Sequence, residues 1–249
     1  MPGYNNNAQK GYSCNTYQDV VGVALGRLDN LESSSLRLNK LMHYSSGGDN
    51  SVELKKICEC ANNKRFANCN CVAEALKRLP GATSFRMTLA ARMMVNQSGS
   101  VLNLGILLHR NYSCPYIPGS AIKGVTRHYV FEEYGENSDD YKRIFGDQNN
   151  AGSVAFLNAF PSNSWKLVPD VLTRHNDPMD DGPMDTKNPL PIVFPAVERG
   201  AQFEFIVAPA RPGVAPEDVQ LAAKWLREAL KFNGVGAKTS AGYGWFKEA

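Results

Sequence analysis

The hydrophobic periodicity of this chain changes just after Pro80-Gly81, and the order of elements that follows restricts the possible folds strongly. Apolar and polar residues alternate at 85–91, which predicts a strand with one buried face. The elements predicted from there onward are, in chain order, that strand, a helix at 119–134, strands at 153–160 and 201–207, a helix at 216–233 and a strand at 243–247. This β-α-β-β-α-β order predicts an α+β fold of the ferredoxin-like split βαβ type, which is also the topology of RNA recognition modules (RRM-like).

Capping residues and apolar stripes define the two helices. Ser120 is predicted to cap the first helix, with Ile122, Val125 and Tyr129 on its buried side. The second helix starts at Pro216 with two acids behind it and has Lys231 near its end, so its charges complement the helix dipole. Its buried stripe is predicted to comprise Val219, Ala222, Ala223, Leu226 and Leu230.

The first 80 residues are predicted to form an N-terminal tail and helical extension, separate from a domain at 81–249. Residues 1–16 are rich in Asn, Gly and Ser, residues 17–42 have helical periodicity, and two short helices precede Pro80-Gly81. Within the second domain, residues 161–200 are too many for a structureless connection. We therefore expect an inserted hairpin or projecting arm there, stiffened by its prolines.

Charge and hydropathy exclude several classes of protein. The net charge of +3 is too small for a general polyanion binder, so any affinity for nucleic acid would need local clusters of Lys and Arg. The sequence has no run of about 18 apolar residues, and its N-terminus does not read as a signal peptide. We therefore expect a cytoplasmic protein whose six cysteines are thiols.

Four cysteines form two closely spaced pairs, which raises the question of a zinc site. The residues are Cys58, Cys60, Cys69 and Cys71. Four thiolates can bind zinc, although C-x-C is tighter than the usual C-x(2–4)-C spacing. The flanking sequence also fits a helical hairpin in which these are small buried side chains, and this is the favoured interpretation.

Residues 234–244, with the sequence GVGAKTSAGYG, form a glycine-rich loop suited to contact phosphate. Glycine allows positive φ and close approach of the main chain, so that successive N–H groups can point at one anion while Lys238 adds a charge. This is not a Walker loop, because no glycine directly precedes the lysine and the helix lies upstream. A reverse turn between a helix and a final strand is the alternative. The Lys-Thr-Ser insertion and the nearby aromatic residues Tyr243 and Trp245 favour a nucleic-acid surface.

A second phosphate-binding candidate lies at the start of the first predicted helix. Ser120, Lys123 and Arg127 are spaced i, i+3 and i+7, so they share one helical face near the positive end of the dipole. The alternative is a solvated outer face of an amphipathic helix. In a split βαβ fold this helix and the glycine-rich loop can approach one edge of the sheet, so we expect the two segments to contact one RNA strand.

Three separated segments resemble a known family. Residues 116–124, with the sequence YIPGSAIKG, together with Arg127 resemble the signature of the RAMP superfamily, and residues 234–244 resemble its C-terminal glycine-rich loop. A narrower resemblance, to the family of the sixth subunit of the type III-B (Cmr) CRISPR effector complex, lies at 144–146, 152–161, 170–175 and 188–192. Ala121 departs from the pattern, since a second serine is common there.

The resemblance implies a non-catalytic subunit of a ribonucleoprotein that targets foreign RNA. Such a subunit binds the guide RNA (crRNA) near its 3′ portion and helps to cap the filament, with target RNA and the other Cmr subunits as partners and with no cofactor. The expected RNA-binding residues are Ser120, Lys123, Arg127, Arg174, His175, Gly234, Gly236, Lys238, Thr239, Ser240, Gly242 and Tyr243. The alternative is a metal-independent RAMP endoribonuclease that processes precursor guide RNA, for which the candidate general bases are His43, His109, His128 and His175.

Overall fold

The computed structural model describes residues 34–36, 38, 51–62, 70–95, 106–135, 138–174 and 190–249. A helical turn at Ser34–Leu36 precedes the labelled elements. These are α1 (Ser51–Asn62), α2 (Asn70–Lys77), β1 (Thr83–Leu89), α3 (Gly119–Tyr134), α4 (Asp139–Phe145), β2 (Val154–Phe156), β3 (Phe160–Pro161), β4 (Leu167–Arg174), β5 (Leu190–Val197), β6 (Gln202–Pro209), α5 (Pro216–Phe232) and β7 (Phe246–Glu248). The chain is therefore of mixed α+β composition, as expected.

The main sheet is antiparallel, with the strand order β2-β6-β1-β7 and with β3 also paired to β6. Strand β1 alternates as predicted, because Phe85, Met87 and Leu89 point into the core. Strand β6 has six consecutive buried residues, so both of its faces are covered. Helices α5 and α2 both contact it.

Two predicted strands are shorter in the structure. The candidate at 153–160 is split into β2 and β3, because Ala159 leaves the β6 ladder and bridges Ile117 instead. The last strand starts at Phe246, because Gly244 has φ +70° and its N–H donates to the Arg92 carbonyl at 2.8 Å. Both differences arise from pairing with residues distant in sequence.

Helices α3 and α5 match the prediction closely. Helix α5 begins at Pro216, ends at Phe232 and buries all five residues of its predicted stripe. Helix α3 ends at Tyr134 as expected, and it packs against α5. Its buried residues are Gly119, Ile122, Thr126 and Val130. Val125 and Tyr129, predicted to be buried, are only half-buried, and the Tyr129 ring stacks on Phe232 of α5.

Helix α4 was not predicted, and an ion-pair network fixes it to α5. Ser138 caps it by accepting a hydrogen bond from the Tyr141 N–H at 3.2 Å. Arg143 donates to the buried carboxylate of Asp218 at 2.9 Å, and Ser153 donates to the other oxygen of Asp218 at 2.9 Å. Asp218 therefore ties the start of α5 to both α4 and the residue before β2.

Strands β4 and β5 form a separate antiparallel pair within residues 161–200, where a hairpin was expected. Their register runs without a break from Leu167 opposite Val197 to Arg174 opposite Leu190. Helix α1 packs on this pair, and the Asn62 amide exchanges two hydrogen bonds with the main chain of Leu167, at 2.8 and 3.0 Å.

The N-terminal helices share one hydrophobic core with the sheet. Leu54, Ile57 and Cys58 of α1 and Ala73 of α2 belong to the same buried cluster as β1, β6 and α5. The division of the chain at 80/81 stays a prediction. The tail at 1–16 and most of the helix at 17–42 lie outside the described residues. Among those described, no helix is both long and apolar enough to cross a membrane.

Candidate functional site

The glycine-rich loop, residues 234–244, is fastened to the segment that follows β1. The Ala237 N–H donates to the Met94 carbonyl at 2.7 Å, and the Gly244 N–H donates to the Arg92 carbonyl at 2.8 Å. The Val235 N–H closes the base of the loop by donating to the Gly244 carbonyl at 2.9 Å. The loop is thus held at both ends, while its middle is exposed.

Main-chain contacts explain two of the glycines. A Cβ on Gly244, which has φ +70°, would lie 2.0 Å from the Val235 oxygen, and a Cβ on Gly236, with φ +107°, would lie 2.5 Å from the Met94 oxygen. A side chain on Gly244 would separate the two ends of the loop, and one on Gly236 would push the loop away from Met94. These glycines are therefore required for the loop to fold, whichever ligand it binds.

The middle of the loop presents main-chain N–H donors at its surface. Lys238 adopts left-handed backbone (φ 62°, ψ 34°), and Thr239–Ala241 form a single 3₁₀ turn. Counting acceptors among the described residues alone, the N–H groups of Gly236, Lys238, Thr239 and Ser240 have none. A left-handed residue followed by helical ones turns successive N–H groups toward one side, which is the geometry of an anion-binding nest. The exposed side chains of Lys238 and Ser240 lie at the same place.

A cleft of about 490 Å³ separates this loop from the first turns of α3. The lining residues are Val95, Pro118, Ala121, Val125, Gly234, Val235, Gly236, Ala237 and Thr239. The loop and the start of α3 are therefore neighbours, as the split βαβ order led us to expect.

The polar residues of α3 do not line this cleft. Residues in an α-helix are about 100° apart around its axis, which puts Lys123 and Arg127 roughly opposite Ala121 and Val125. Arg127 donates to the Tyr141 hydroxyl of α4 at 2.6 Å, and its guanidinium lies 5.5 Å from the centre of that ring. The structure thus brings the two segments together but turns the cations of α3 toward another surface.

Ser120 is not the N-cap of α3, and the prediction was wrong on this point. Pro118 is the N-cap, and Ser120 is the exposed second residue of the helix. The Gly119 N–H, which a phosphate could otherwise use, donates to the Asn158 side chain at 2.8 Å. Gly119 is also tightly enclosed, because a Cβ there would lie 2.2 Å from the Phe156 carbonyl oxygen.

Tyr243 connects the loop to the β4–β5 pair. Its hydroxyl donates to Asp170 of β4 at 2.9 Å, and its ring lies edge-on to Phe194 of β5. Arg92 pairs with the same Asp170 at 3.2 Å and with Glu198 at 3.4 Å. Burial, together with the hydrogen bond to Asp170, raises the pKa of Tyr243 to about 12. This predicted RNA-contacting residue therefore anchors the loop, and its contact with RNA stays a prediction.

Tyr243→Phe is expected to destabilise the protein by about 1 kcal/mol near neutral pH, because Asp170 loses a donor. The Tyr243 phenol ionises near pH 10 in the unfolded chain but only near pH 12 in the folded one. Its stabilising effect is thus complete below about pH 10 and is lost as the pH rises through about 12. Urea unfolding of the wild type and of Tyr243→Phe at about pH 8 and about pH 11 should show that the difference between their free energies of unfolding is smaller at the higher pH. The same difference in free energy at both pH values would contradict the stabilising role of the Tyr243 hydroxyl.

The remaining RNA-binding candidates lie at the end of β4. Arg174 is the last residue of that strand, where it pairs with Leu190. The prediction for His175 falls outside the described residues, as does any account of the Arg174 side chain.

The candidate general bases have separate environments. His109 is surrounded by the rings of Tyr112, Tyr116 and Phe160, and burial lowers its pKa. His128 is exposed on α3, 3.3 Å from Glu132. His43 and His175 lie outside the described residues.

The cysteines of the possible zinc site that the structure describes are spread over two helices. Cys58 is buried in α1, where burial and the neighbouring Glu59 raise its pKa to about 12, so its thiol stays protonated. Cys71 is exposed on α2, and Cys69 lies outside the described residues. Within the described ranges, no group of three or more His, Cys, Asp or Glu side chains is arranged to bind a metal ion.

One cysteine differs from the expectation that all six are thiols. Cys114 is fully buried and disulfide-bonded. The sequence gives no spacing signal for this bond, because Cys114 stands far from any other cysteine.

The fold and loop just described agree with a family comparison. A family model described as the RAMP superfamily matches residues 42–247. The chain belongs to the RAMP superfamily, and the resemblance noted in its sequence is confirmed. The match begins upstream of α1, so it includes the helices that share the core of the sheet.

Two curated relatives narrow the similarity to one kind of RAMP protein. The chain is 29% identical over 191 residues to the CRISPR system CMR subunit Cmr6 of Saccharolobus solfataricus, covering 74% of this chain and 63% of that protein. It is 31% identical over 212 residues to the Cmr6 subunit of Pyrococcus furiosus, covering 58% of this chain and 61% of that protein. The chain thus spans about three fifths of the length of these relatives.

A solved structure shares the fold. A chain in the cryo-EM structure of the type III-B Cmr-beta complex bound to cognate target RNA superposes with a TM-score of 0.65, covering 94% of this chain and 86% of that one. The sequence identity is 21%, so the similarity concerns the fold.

Sequence reasoning missed several residues that build the site. Asn158 accepts a hydrogen bond from the first N–H of α3, Val95 forms one wall of the cleft, and Arg92 and Asp170 anchor the loop. Asn158 stands where a strand was predicted to continue, so an amide side chain within a strand candidate was the only available signal.

Proposed function

We propose that this chain is a non-catalytic RNA-binding subunit of a type III-B CRISPR ribonucleoprotein effector that targets foreign RNA. Membership of the RAMP superfamily and similarity to two Cmr6 subunits support this proposal. By the same family inference, the chain contacts guide RNA near its 3′ portion, caps one end of the filament, and has target RNA and the other Cmr subunits as partners. Such a complex would act in the cytoplasm.

The exposed middle of the glycine-rich loop is the observation that carries the proposal. Four main-chain N–H groups without acceptors in the described part of the chain lie beside an exposed lysine and two hydroxyls. Donors of this kind bind phosphate whatever the base attached to it. A subunit that must accept any spacer sequence needs such contacts, because the base edges must stay free to pair with the target.

We propose two further sets of RNA-contacting residues outside the sequence of the loop. Ser120, Lys123 and Arg127 form a separate polar surface of α3, and Arg174, the last residue of β4, is the other candidate together with His175, its neighbour in the sequence. The set on α3 does not line the cleft beside the loop. The glycine-rich loop is therefore the primary phosphate contact in this proposal.

We infer that the sheet is ferredoxin-like, with residues about 161–200 as an inserted arm. The four main strands lie in the order second, third, first, fourth along the chain, all antiparallel, and a helix follows the first and third of them. This is the arrangement of a split β-α-β-β-α-β unit. The β4–β5 pair interrupts the unit between its second and third strands.

The proposal is tested by photo-crosslinking in the native cell. A tagged full-length chain is purified after ultraviolet irradiation, and RNA-linked peptides are identified by mass spectrometry. We expect short RNAs with a shared repeat-derived 5′ tag, several companion proteins, and crosslinks within residues 234–244. Purification without RNA would contradict the proposal.

Cleavage activity would favour the processing endoribonuclease instead. The purified chain is incubated in EDTA with a precursor RNA that contains a repeat stem-loop. Specific cleavage that is lost in His128→Ala or His175→Ala would replace the non-catalytic assignment.

A further inference from the structure

The interior of the cleft is apolar, although its edge is polar. Of the described residues that line it, only Thr239 has a polar side chain. The side chains of Val95, Pro118, Ala121 and Val125 form the wall opposite the loop. Such a wall favours contact with the face of a flat organic group. It disfavours burial of a charge.

The edge of the cleft carries the donors that suit an anion. Gly236 and Thr239 line the cleft, and the N–H groups of both have no acceptor among the residues described. Lys238 stands between them, exposed. A volume of about 490 Å³ is within the range of clefts that hold small organic ligands, roughly 300–1,000 Å³. The ligand that fits is amphipathic, with an anionic group at one end and an apolar body at the other.

We propose that the cleft receives the base and ribose of one unstacked ribonucleotide of the bound strand, while the adjoining phosphate lies on the N–H groups of Gly236, Lys238, Thr239 and Ser240. This inference rests on the proposed function and adds to it a position where the RNA leaves a regular stack. Because the described residues of the wall include no side chain able to pair with a base edge, the wall accepts any of the four bases. A contact of this kind is compatible with a guide of any sequence.

The test compares two RNAs that have the same backbone. The full-length chain is titrated with a single-stranded oligouridine and with an abasic oligomer of equal length, at several salt concentrations. We expect the oligouridine to bind about tenfold more tightly, because the abasic strand leaves the cleft empty. The salt slopes should be equal, because both strands offer the same phosphates.

A variant with a larger side chain in the cleft tests whether the preference for oligouridine arises there. Val125→Phe is expected to lower the affinity for oligouridine to the abasic value and to leave abasic binding unchanged. Thermal unfolding shows whether the variant is folded, and Ala121→Leu narrows the same cleft with a smaller addition. Continued preference for oligouridine in the folded variant would overturn the inference.

The remaining outcomes separate this inference from the proposed function. Equal binding of the two RNAs by the wild type would overturn the base-binding role alone, because phosphate contact would persist. Binding of neither RNA would overturn the proposed function, and this inference with it.

Discussion

Gly244→Ala is expected to destabilise the protein by about 3 kcal/mol or more, the largest effect of any single substitution in the loop. The new Cβ would lie 2.0 Å from the Val235 oxygen, and the backbone at φ +70° disfavours a side chain in any case. Val235 and Gly244 close the base of the loop through a hydrogen bond of 2.9 Å, so relief of the clash would open the loop. Denaturant unfolding measures the loss.

Gly242→Ala is the matched control for this substitution. Gly242 also has positive φ, +92°, but no atom lies within 4 Å of the position that its Cβ would take. The cost should therefore be the conformational strain alone, about 1 kcal/mol. Equal losses in the two variants would show that the close approach of Gly244 to Val235 is not what the loop requires.

The helices were predictable because their signals are local. Pro216 with two following acids, Lys231 near the other end and a stripe of apolar residues define α5 within the helix itself. The alternation that predicts β1 is local as well. Helix α4 also has a local start signal, Ser138 followed by two aspartates, but it is only seven residues long and too short for its periodicity to be seen.

The features that were mispredicted depend on contacts between distant segments. The strand candidate at 153–160 is interrupted because the Asn158 side chain accepts from the Gly119 N–H of α3 and Ala159 pairs with Ile117. Sequence spacing put Ser120, Lys123 and Arg127 on one face of a helix, which is geometrically sound, but spacing does not reveal where that face points. Packing decides it, since the flank of α3 that carries Ala121 and Val125 lies against the loop.

The glycine-rich loop has some features that its local sequence predicted and others that it could not predict. Its composition predicted a main chain with positive φ, and Gly234, Gly236, Gly242 and Gly244 all have it. It could not show that Lys238 would adopt left-handed backbone too, or that Tyr243 would bond to Asp170, a residue 73 positions earlier. The backbone conformation of Lys238 depends on the closure of the loop by Met94 and Arg92. The bond between Tyr243 and Asp170 depends on the position of β4.

Lys238→Ala is expected to weaken binding of single-stranded RNA by about five- to tenfold at about 0.1 M salt, uniformly across sequences. The lysine is exposed and has no ion pair among the described residues, so its removal should leave the fold unchanged. Lys224→Ala is the control, because Lys224 is also exposed, on α5, and its removal changes the net charge by the same amount.

The salt dependence of RNA binding by these three proteins tests most directly whether the loop contacts the RNA backbone. Loss of one phosphate contact decreases the steepness of log K against log salt concentration by about 0.7 for a single strand. We predict this decrease in Lys238→Ala and the wild-type slope in Lys224→Ala. Equal slopes in all three proteins would contradict the account.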